Sequence, residues 1–246
     1  MAGSTYLPQM ATESAAQQVE APRHALFLRV THWLAAGSFF VLLLSGIAIL
    51  LAHPRLYWGE TGSLNTPSLI DLPLPMILDI PIRGPGRYLH FLAAWIMVGT
   101  GAAYFLWGLT KRHFGRNVLP ARAELSGGAL AADLKKHLAL HRPSGAELAS
   151  YNVSQKIAYT AVVFVLLPVM IWTGLAMSPA VTSVAPVLVT SLGGQQSART
   201  IHFFASAALV LFALVHVFLA WRAGVIGTMI TGRFAMGKKP AKQEAR

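Results

Sequence analysis

From Ile201 to Trp221 the chain reads IHFFASAALVLFALVHVFLAW, a stretch without acid, lysine or arginine that contains two histidines, His202 and His216. A run this long and apolar is read as a membrane-spanning helix. The histidines are fourteen residues apart. On an α-helix that spacing falls about 40° short of four full turns, so both imidazoles leave one face, roughly 21 Å apart along the axis. An ionisable side chain inside a span marks a functional site by default. Two on one face, near opposite ends, suggest two stacked cofactors. A pair of b-type haems, each held by two axial imidazoles, is the natural candidate. Further histidines must then come from other spans.

The composition agrees with a membrane protein. The 246 residues are 54% hydrophobic and only 12% charged, with a mean hydropathy of +0.53. Four apolar runs, at about Val30–Leu51, Tyr88–Thr110, Ile157–Met177 and Thr200–Trp221, contain no Asp, Glu, Lys or Arg. Each is close to the ~20 residues that cross a bilayer. The expected fold is all-α, a four-transmembrane-helix bundle with short interfacial helices in its loops.

The formal charge of +11 would suit nucleic acid, but its distribution points elsewhere. Assigning loops alternately to the two sides puts sixteen of the twenty Lys and Arg on one side. The remaining four, Arg55, Arg83, Arg87 and Arg199, fall on the other. The positive-inside rule then places both termini in the cytoplasm. Lipid surrounds the spans, and nucleic acid is not an expected partner. The absence of cysteine excludes iron–sulfur ligation, thioether-linked haem and disulfides within this chain. Residues 1–22 carry no apolar core and are expected to be disordered. A transmembrane domain follows over residues 23–233, then a basic cytoplasmic tail over 234–246.

Two loops stand out. His53–Arg87, outside the cytoplasm in this topology, holds six of the fourteen prolines, which disfavours regular structure. A long loop of this kind is usually functional. It would form a docking surface for an extracytoplasmic partner, with Tyr57 and Trp58 as apolar contacts. On the cytoplasmic side, Ala121–Leu140 has helical spacing of Leu125, Leu134 and Leu138. It reads as an interfacial amphipathic helix broken at Gly127-Gly128. Pro179–Leu192 is expected to lie as a helix at the outer interface, and Pro168 to kink the third span. No internal repeat is evident.

Four of the nine histidines fall in spans: His32, His90, His202 and His216. A lone intramembrane histidine is more often a hydrogen-bonded core residue or a proton relay, but here topology pairs them. His32 opens the first span and His216 closes the fourth, both near the cytoplasm. His90 opens the second span and His202 the fourth, both near the outside. Neutral imidazoles at matching depth are what six-coordinate haem iron requires. Small residues that let a macrocycle approach the backbone are available at Gly37, Gly46, Gly99, Gly101 and Gly174. Arg29, Arg87 and Arg199 each precede a proposed ligand by three residues, placed to pair with haem propionates or to anchor span ends by snorkelling.

At these residues the chain resembles the four-helix membrane cytochromes b, a superfamily that includes the formate dehydrogenase gamma subunit, the nickel–iron hydrogenase cytochrome b and the thiosulfate-reductase-type cytochrome b. The likeness covers roughly Arg23–Arg233. Arg29-Val-Thr-His32-Trp33 looks like the family's first-span ligand motif, and His202 with His216 looks like its pair on the last span. Tyr151-Asn152-Val-Ser-Gln155-Lys156 is similar to the segment leading into span three of formate dehydrogenase gamma subunits. Trp172-Thr-Gly174-Leu-Ala-Met-Ser-Pro179 is similar to the thiosulfate-reductase branch. The resemblance implies electron transfer between the quinone pool and an extracytoplasmic catalytic subunit, through an outer and an inner haem. It makes Asn152 the candidate to hydrogen-bond a quinone carbonyl, with Gln155 and Lys156 behind it. A molybdenum-containing oxidoreductase is the first expectation for the partner, and a hydrogenase the second.

A rival from another class is a self-contained dihaem enzyme that oxidises superoxide and reduces quinone. It requires a basic outer funnel, whereas the four outer arginines share their side with Glu60, Asp71 and Asp79. A haem-free scaffold or transporter would leave the paired depths unexplained.

Overall fold

The structure, a computed structural model, describes residues 25–63, 65–72, 86–139 and 151–232. The expected disordered segment 1–22 and basic tail 234–246 lie outside the described residues, as do Arg83 and most of the proline-rich run before Arg87. Four helices are long and apolar enough to cross a membrane: α1 (Leu26–Ala52), α2 (Gly86–Thr110), α4 (Val153–Ala176) and α7 (Gln195–Arg222). The smaller elements are strands β1 (Arg55–Leu56) and β2 (Ile70–Asp71), and helices α3 (Gly127–Leu138), α5 (Pro179–Thr182), α6 (Val187–Thr190) and α8 (Ile226–Thr231). The expected all-α bundle of four spans is the observed architecture.

Packing follows the rules of lipid rather than water. Residues buried along the spans are mostly small or hydroxylic, among them Thr31, Ser38, Ser45, Ala93, Thr173, Ala176, Ala198, Thr200 and Ala205, with Leu209 the large exception. Large apolar side chains such as Phe40, Trp95, Leu106, Leu211 and Trp221 point outward. Lipid tails are as apolar as leucine, so helices associate where small residues let their backbones approach. The spans form two pairs, α1 packed along α2 and α4 against α7.

Helix α4 is continuous through Pro168. Its turn over Val162–Leu166 is widened, with the Leu167 N–H bonded to the carbonyl of Val162, five residues back. Proline has no N–H, and its ring crowds the carbonyl four residues before it, here that of Phe164. The widened turn is the local adjustment that accommodates the ring.

At the end of the bundle expected to face the cytoplasm, α8 folds back beneath α1. Arg29 donates a guanidinium N–H to the Ile230 carbonyl (2.6 Å), and Trp33 donates its indole N–H to the Met229 carbonyl (3.0 Å). Those carbonyls belong to a helix C-terminus, where intrahelical donors run out. The amphipathic helix expected over Ala121–Leu140 is shorter: a 3-10 turn spans Arg122–Leu125 and α3 begins at Gly127. Gly127-Gly128 thus starts the helix instead of breaking it, because Ser126 ends the 3-10 turn in extended backbone and its hydroxyl accepts from the Ala129 N–H, the work of an N-cap. Asp133 on α3 accepts from the Ser154 N–H at 2.8 Å, and Glu124 pairs with Lys156 at 2.8 Å. Both tie the cytoplasmic segment to the start of α4.

Among its described residues, 53–63 and 65–72, the loop between α1 and α2 has more order than its prolines suggested. β1 and β2 pair antiparallel, Arg55 with Asp71 and Leu56 with Ile70. The turn beyond β1 lands on the N-terminus of α7. The Gly59 carbonyl accepts from the N–H groups of Gln196 (3.0 Å) and Ser197 (3.3 Å), the Gly59 N–H donates to the Ser197 hydroxyl (2.8 Å), and Thr200 donates to the Tyr57 carbonyl (2.7 Å). The first-turn N–H groups of α7, which lack helical partners, are answered by this loop. Gly194 permits the close approach: its φ is +119°, and a Cβ there would lie 2.5 Å from the Gly59 backbone. Tyr57 is therefore buried at 7% exposure and is not the docking contact expected of it, whereas Trp58 stands 61% exposed. The single helix expected over Pro179–Leu192 is two short turns, α5 and α6. Trp172 anchors α6 through its indole N–H to the Leu188 carbonyl.

Candidate functional site

The four intramembrane histidines meet in two couples, each bridging the two helix pairs. His32 on α1 faces His216 on α7 with ring centres 6.2 Å apart and planes crossed at 63°. His90 on α2 faces His202 on α7 at 6.4 Å and 60°. The pairing drawn from depth alone is the pairing found in space.

The spacing can be compared with what one metal between two imidazoles demands. With a metal–nitrogen bond of about 2.0 Å and each ring nitrogen about 1.1 Å from its ring centre, opposed axial imidazoles have centres about 6.2 Å apart. Both couples match. Among the described residues no three or more of His, Cys, Asp and Glu gather into a set that could hold a bare ion. Two imidazoles suffice only where a macrocycle supplies the other ligands, so the residues present fit haem.

The His90–His202 couple is called the outer and the His32–His216 couple the inner, after the sides expected from the charge distribution, and the surroundings of the outer couple reinforce that fit. Nδ1 of His90 lies 2.9 Å from the Ser45 hydroxyl on α1, and Nδ1 of His202 lies 2.8 Å from the Thr173 hydroxyl on α4. Each bond occupies one ring nitrogen and leaves Nε2 for a ligand. Beside these hydroxyls, a Cβ on Gly46 would stand 3.6 Å from Cε1 of His90, and one on Gly174 would stand 3.7 Å from Cε1 of His202. A Cβ at Gly37, Gly99 or Gly101 would meet no atom of the chain within 4 Å. Ser45 and Thr173 were missed in the sequence. The available signal was a short local duplication, Ser45-Gly-Ile-Ala48 in the first span and Thr173-Gly-Leu-Ala176 in the third.

The inner couple has aromatic neighbours instead. Phe212 stacks on His216 at 5.5 Å and 17°, and Tyr159 meets the same imidazole edge-on at 6.1 Å. Tyr151 contacts Tyr159 at 5.4 Å, so a line of rings runs from the start of α4 to His216. Asn152 sits immediately before α4, where the Gln155 side-chain oxygen accepts from its backbone N–H at 3.1 Å. That bond engages Gln155 in a helix cap. Lys156, in its ion pair with Glu124, is engaged as well. His113, just past α2, packs against Trp107 at 5.2 Å and accepts at Nδ1 from the Asn117 side-chain N–H at 3.0 Å. Burial pushes its imidazole pKa down.

The three arginines divide. Among the described residues, Nε of Arg29 is buried without a hydrogen-bond partner, one turn before His32. Arg199 donates to the His53 carbonyl at the end of α1. Arg87 is exposed.

A four-span, all-helical membrane protein with paired intramembrane imidazoles defines the class of membrane cytochromes b. Residues 23–232 match the family described as prokaryotic cytochrome b561, and the chain belongs to that family. It is 31% identical over 194 residues, covering 79% of this chain and 87% of the relative, to the putative protein-methionine-sulfoxide reductase subunit YedZ1 of Azospira oryzae. No solved structure matches. The chain is thus a multi-pass bacterial membrane cytochrome b, a haem b protein of the electron-transfer subunit type.

Proposed function

We propose that the chain is a dihaem electron-transfer subunit, with one haem b between His32 and His216 and a second between His90 and His202, connecting the quinone pool to an extracytoplasmic oxidoreductase. The observation that carries this is the pair of ring separations, 6.2 and 6.4 Å, each suited to one iron and placed near opposite ends of α7. The haems supply one-electron relay. The chain supplies neutral imidazoles, their spacing along one helix, and the apolar surroundings that exclude water. Arg29, with its unpartnered buried Nε, is the propionate anchor best supported. Arg87 remains available in that role, and Arg199 is engaged at the end of α1.

Quinone is proposed to bind near Asn152 on the cytoplasmic side, because Tyr151, Tyr159 and His216 connect that segment by ring contacts to the inner couple. An amide there can donate to or accept from a quinone carbonyl. Gln155 is a weaker candidate, since its oxygen caps α4. Both termini are placed in the cytoplasm by the distribution of Lys and Arg. The partner is proposed to be a catalytic subunit outside the cytoplasm, a molybdenum-containing oxidoreductase in first place and a hydrogenase in second. The relative's description as a reductase subunit supports a partnered rather than a self-contained enzyme. The superoxide-oxidase reading is disfavoured because Arg55 is paired with Asp71 at 3.0 Å and Arg199 is turned to a backbone carbonyl, leaving a weak basic funnel.

The test is a haem-to-protein ratio with the dithionite-reduced minus oxidised spectrum of the detergent-purified chain. Two low-spin b haems per chain are expected. Zero in folded protein would defeat the proposal, and one would mean that a histidine couple is misassigned. Affinity purification from the native membrane then asks whether a catalytic subunit accompanies the chain or whether the chain turns over alone.

A further inference from the structure

We propose that Ser45 and Thr173 are positioning residues that fix the outer imidazoles, His90 and His202, as Nδ1–H tautomers with crossed planes, and so set the potential and the magnetic signature of the outer haem. This inference rests on the dihaem reading above.

The direction of each hydrogen bond follows from proton counting. A hydroxyl has one proton and accepts through its lone pairs. Ser45 donates its proton to the Val41 carbonyl at 2.7 Å, with the Leu42 carbonyl at 3.2 Å. Thr173 repeats this with the carbonyls of Val169 at 2.7 Å and Met170 at 3.2 Å. Back-bonding of this kind is the common state of serine and threonine inside helices. The hydroxyl proton being committed, each oxygen can only accept from the imidazole, so Nδ1 carries the ring proton and Nε2 the lone pair. The other polar groups facing these rings, the carbonyls of Leu42 and Met170, are also acceptors and favour the same tautomer. Ser45 is 2% exposed and Thr173 0% exposed, which excludes bulk water as a substitute.

The device occurs twice. In each copy a hydroxyl residue is followed by a glycine, where a Cβ would stand 3.6 Å (Gly46) or 3.7 Å (Gly174) from Cε1, the ring atom between the two nitrogens. The copies lie on different helices, α1 and α4, and serve histidines on different helices, α2 and α7. The Nδ1 bond restrains each ring's rotation about the Cβ–Cγ bond, and the following glycine leaves the space beside Cε1 open. Among the described residues no hydrogen bond to a ring nitrogen of His32 or His216 accompanies the stacking of Phe212 and the edge of Trp33. The outer couple is therefore held by hydrogen bonds and the inner couple by packing. Accepting the Nδ1 proton raises the basicity of a ligating imidazole, which stabilises ferric iron and lowers the potential of the outer haem.

The test is electron paramagnetic resonance and redox titration of the purified haem-loaded chain. Variants are Ser45→Ala and Thr173→Val, singly and together, with Thr173→Ser as the conservative control. His90→Ala, which removes the outer haem, assigns the signals. In the double variant the outer-haem low-spin signal should shift or broaden and its midpoint potential should rise, with the inner haem unchanged. Thr173→Ser should match the parent. Valine keeps the shape of threonine, so loss of the outer haem in Thr173→Val but not in Thr173→Ser also supports the hydroxyl's role. Ser45→Ala alone decides the matter if Thr173→Val yields no protein. An outer haem with parental signal and potential in the hydroxyl-less variants would overturn the inference, as would Thr173→Ser behaving like Thr173→Val. A parent chain with fewer than two bis-imidazole haems would overturn the dihaem reading instead, which keeps the two failures apart.

Discussion

The imidazole of His90 crosses that of His202 at 60° rather than lying parallel to it, with 6.4 Å between ring centres. His32 and His216 repeat the arrangement at 63°. Crossed axial imidazoles leave the iron d orbitals nearly degenerate, whereas parallel ones split them. The oxidised chain should therefore give low-spin resonances of the large-gmax type from both haems. A rhombic spectrum of the parallel-plane type would show that the rings reorient on loading.

Removing one ligand should separate the two sites. His90→Ala is expected to halve the haem content, from two haems per chain to one, while the His32–His216 site keeps its bis-imidazole spectrum. A haem-to-protein ratio measures this directly. Retention of both haems would break the assigned pairing.

Gly46 offers a graded probe of the space beside His90. A Cβ at 3.6 Å from the ring is an ordinary contact, so Gly46→Ala should keep both haems. Gly46→Leu drives further atoms into the ring and should reduce outer-haem occupancy without removing the inner haem.

The loop that closes the outer face depends on Gly194. Alanine there would meet the Gly59 backbone at 2.5 Å at a φ of +119°, a conformation that costs a non-glycine residue on the order of 1–3 kcal/mol before the clash is counted. Gly194→Ala should lower the thermal midpoint in detergent and speed proteolysis within residues 57–72. Unchanged melting and proteolysis would mean that the loop relaxes freely.

Glu124 links pH to the cytoplasmic segment. The Lys156 ammonium, assisted by the Ala121 N–H, holds its carboxyl below the ordinary value of 4.5. A carboxylate with a depressed folded pKa stabilises in full above the unfolded value and loses that contribution as pH falls through the folded one. Protection factors over 127–138, that is, exchange corrected for the intrinsic rate at each pH, should therefore fall on acidification below 4.5. Glu124→Gln should show the lower protection already at neutral pH and flatten its response to acid.

The spans and the histidine couples were legible because apolar runs leave few places for an ionisable side chain. A topology drawn from lysine and arginine then sorts the four histidines by depth. Ser45 and Thr173 were not legible in the same way. Hydroxyls are common in spans, and their meaning here depends on which neighbouring helix turns a ring toward them. Burial of Tyr57 escaped for a similar reason: it follows from Gly59 reaching the first turn of α7, a contact between residues 138 positions apart. Gly127-Gly128 was read from propensity as a break, but the N-cap at Ser126 starts the helix there. The Asn152 segment was found through resemblance, and the structure adds the ring contacts from Tyr151 to His216.

Helix α7 contributes one histidine to each couple, and its 28 residues from Gln195 to Arg222 include neither proline nor glycine. Kinks arise at such residues or at widened turns, and α4 has both a proline and a widened turn. On the proposed dihaem assignment, the gap an electron must tunnel between the two irons is thus set by the fourteen-residue spacing within one helix, not by how the helices sit against one another. Thinning or thickening of the bilayer can tilt that helix, yet the jump length stays the same. Because tunnelling decays exponentially with distance, the rate of internal transfer is insulated from the mechanical state of the membrane.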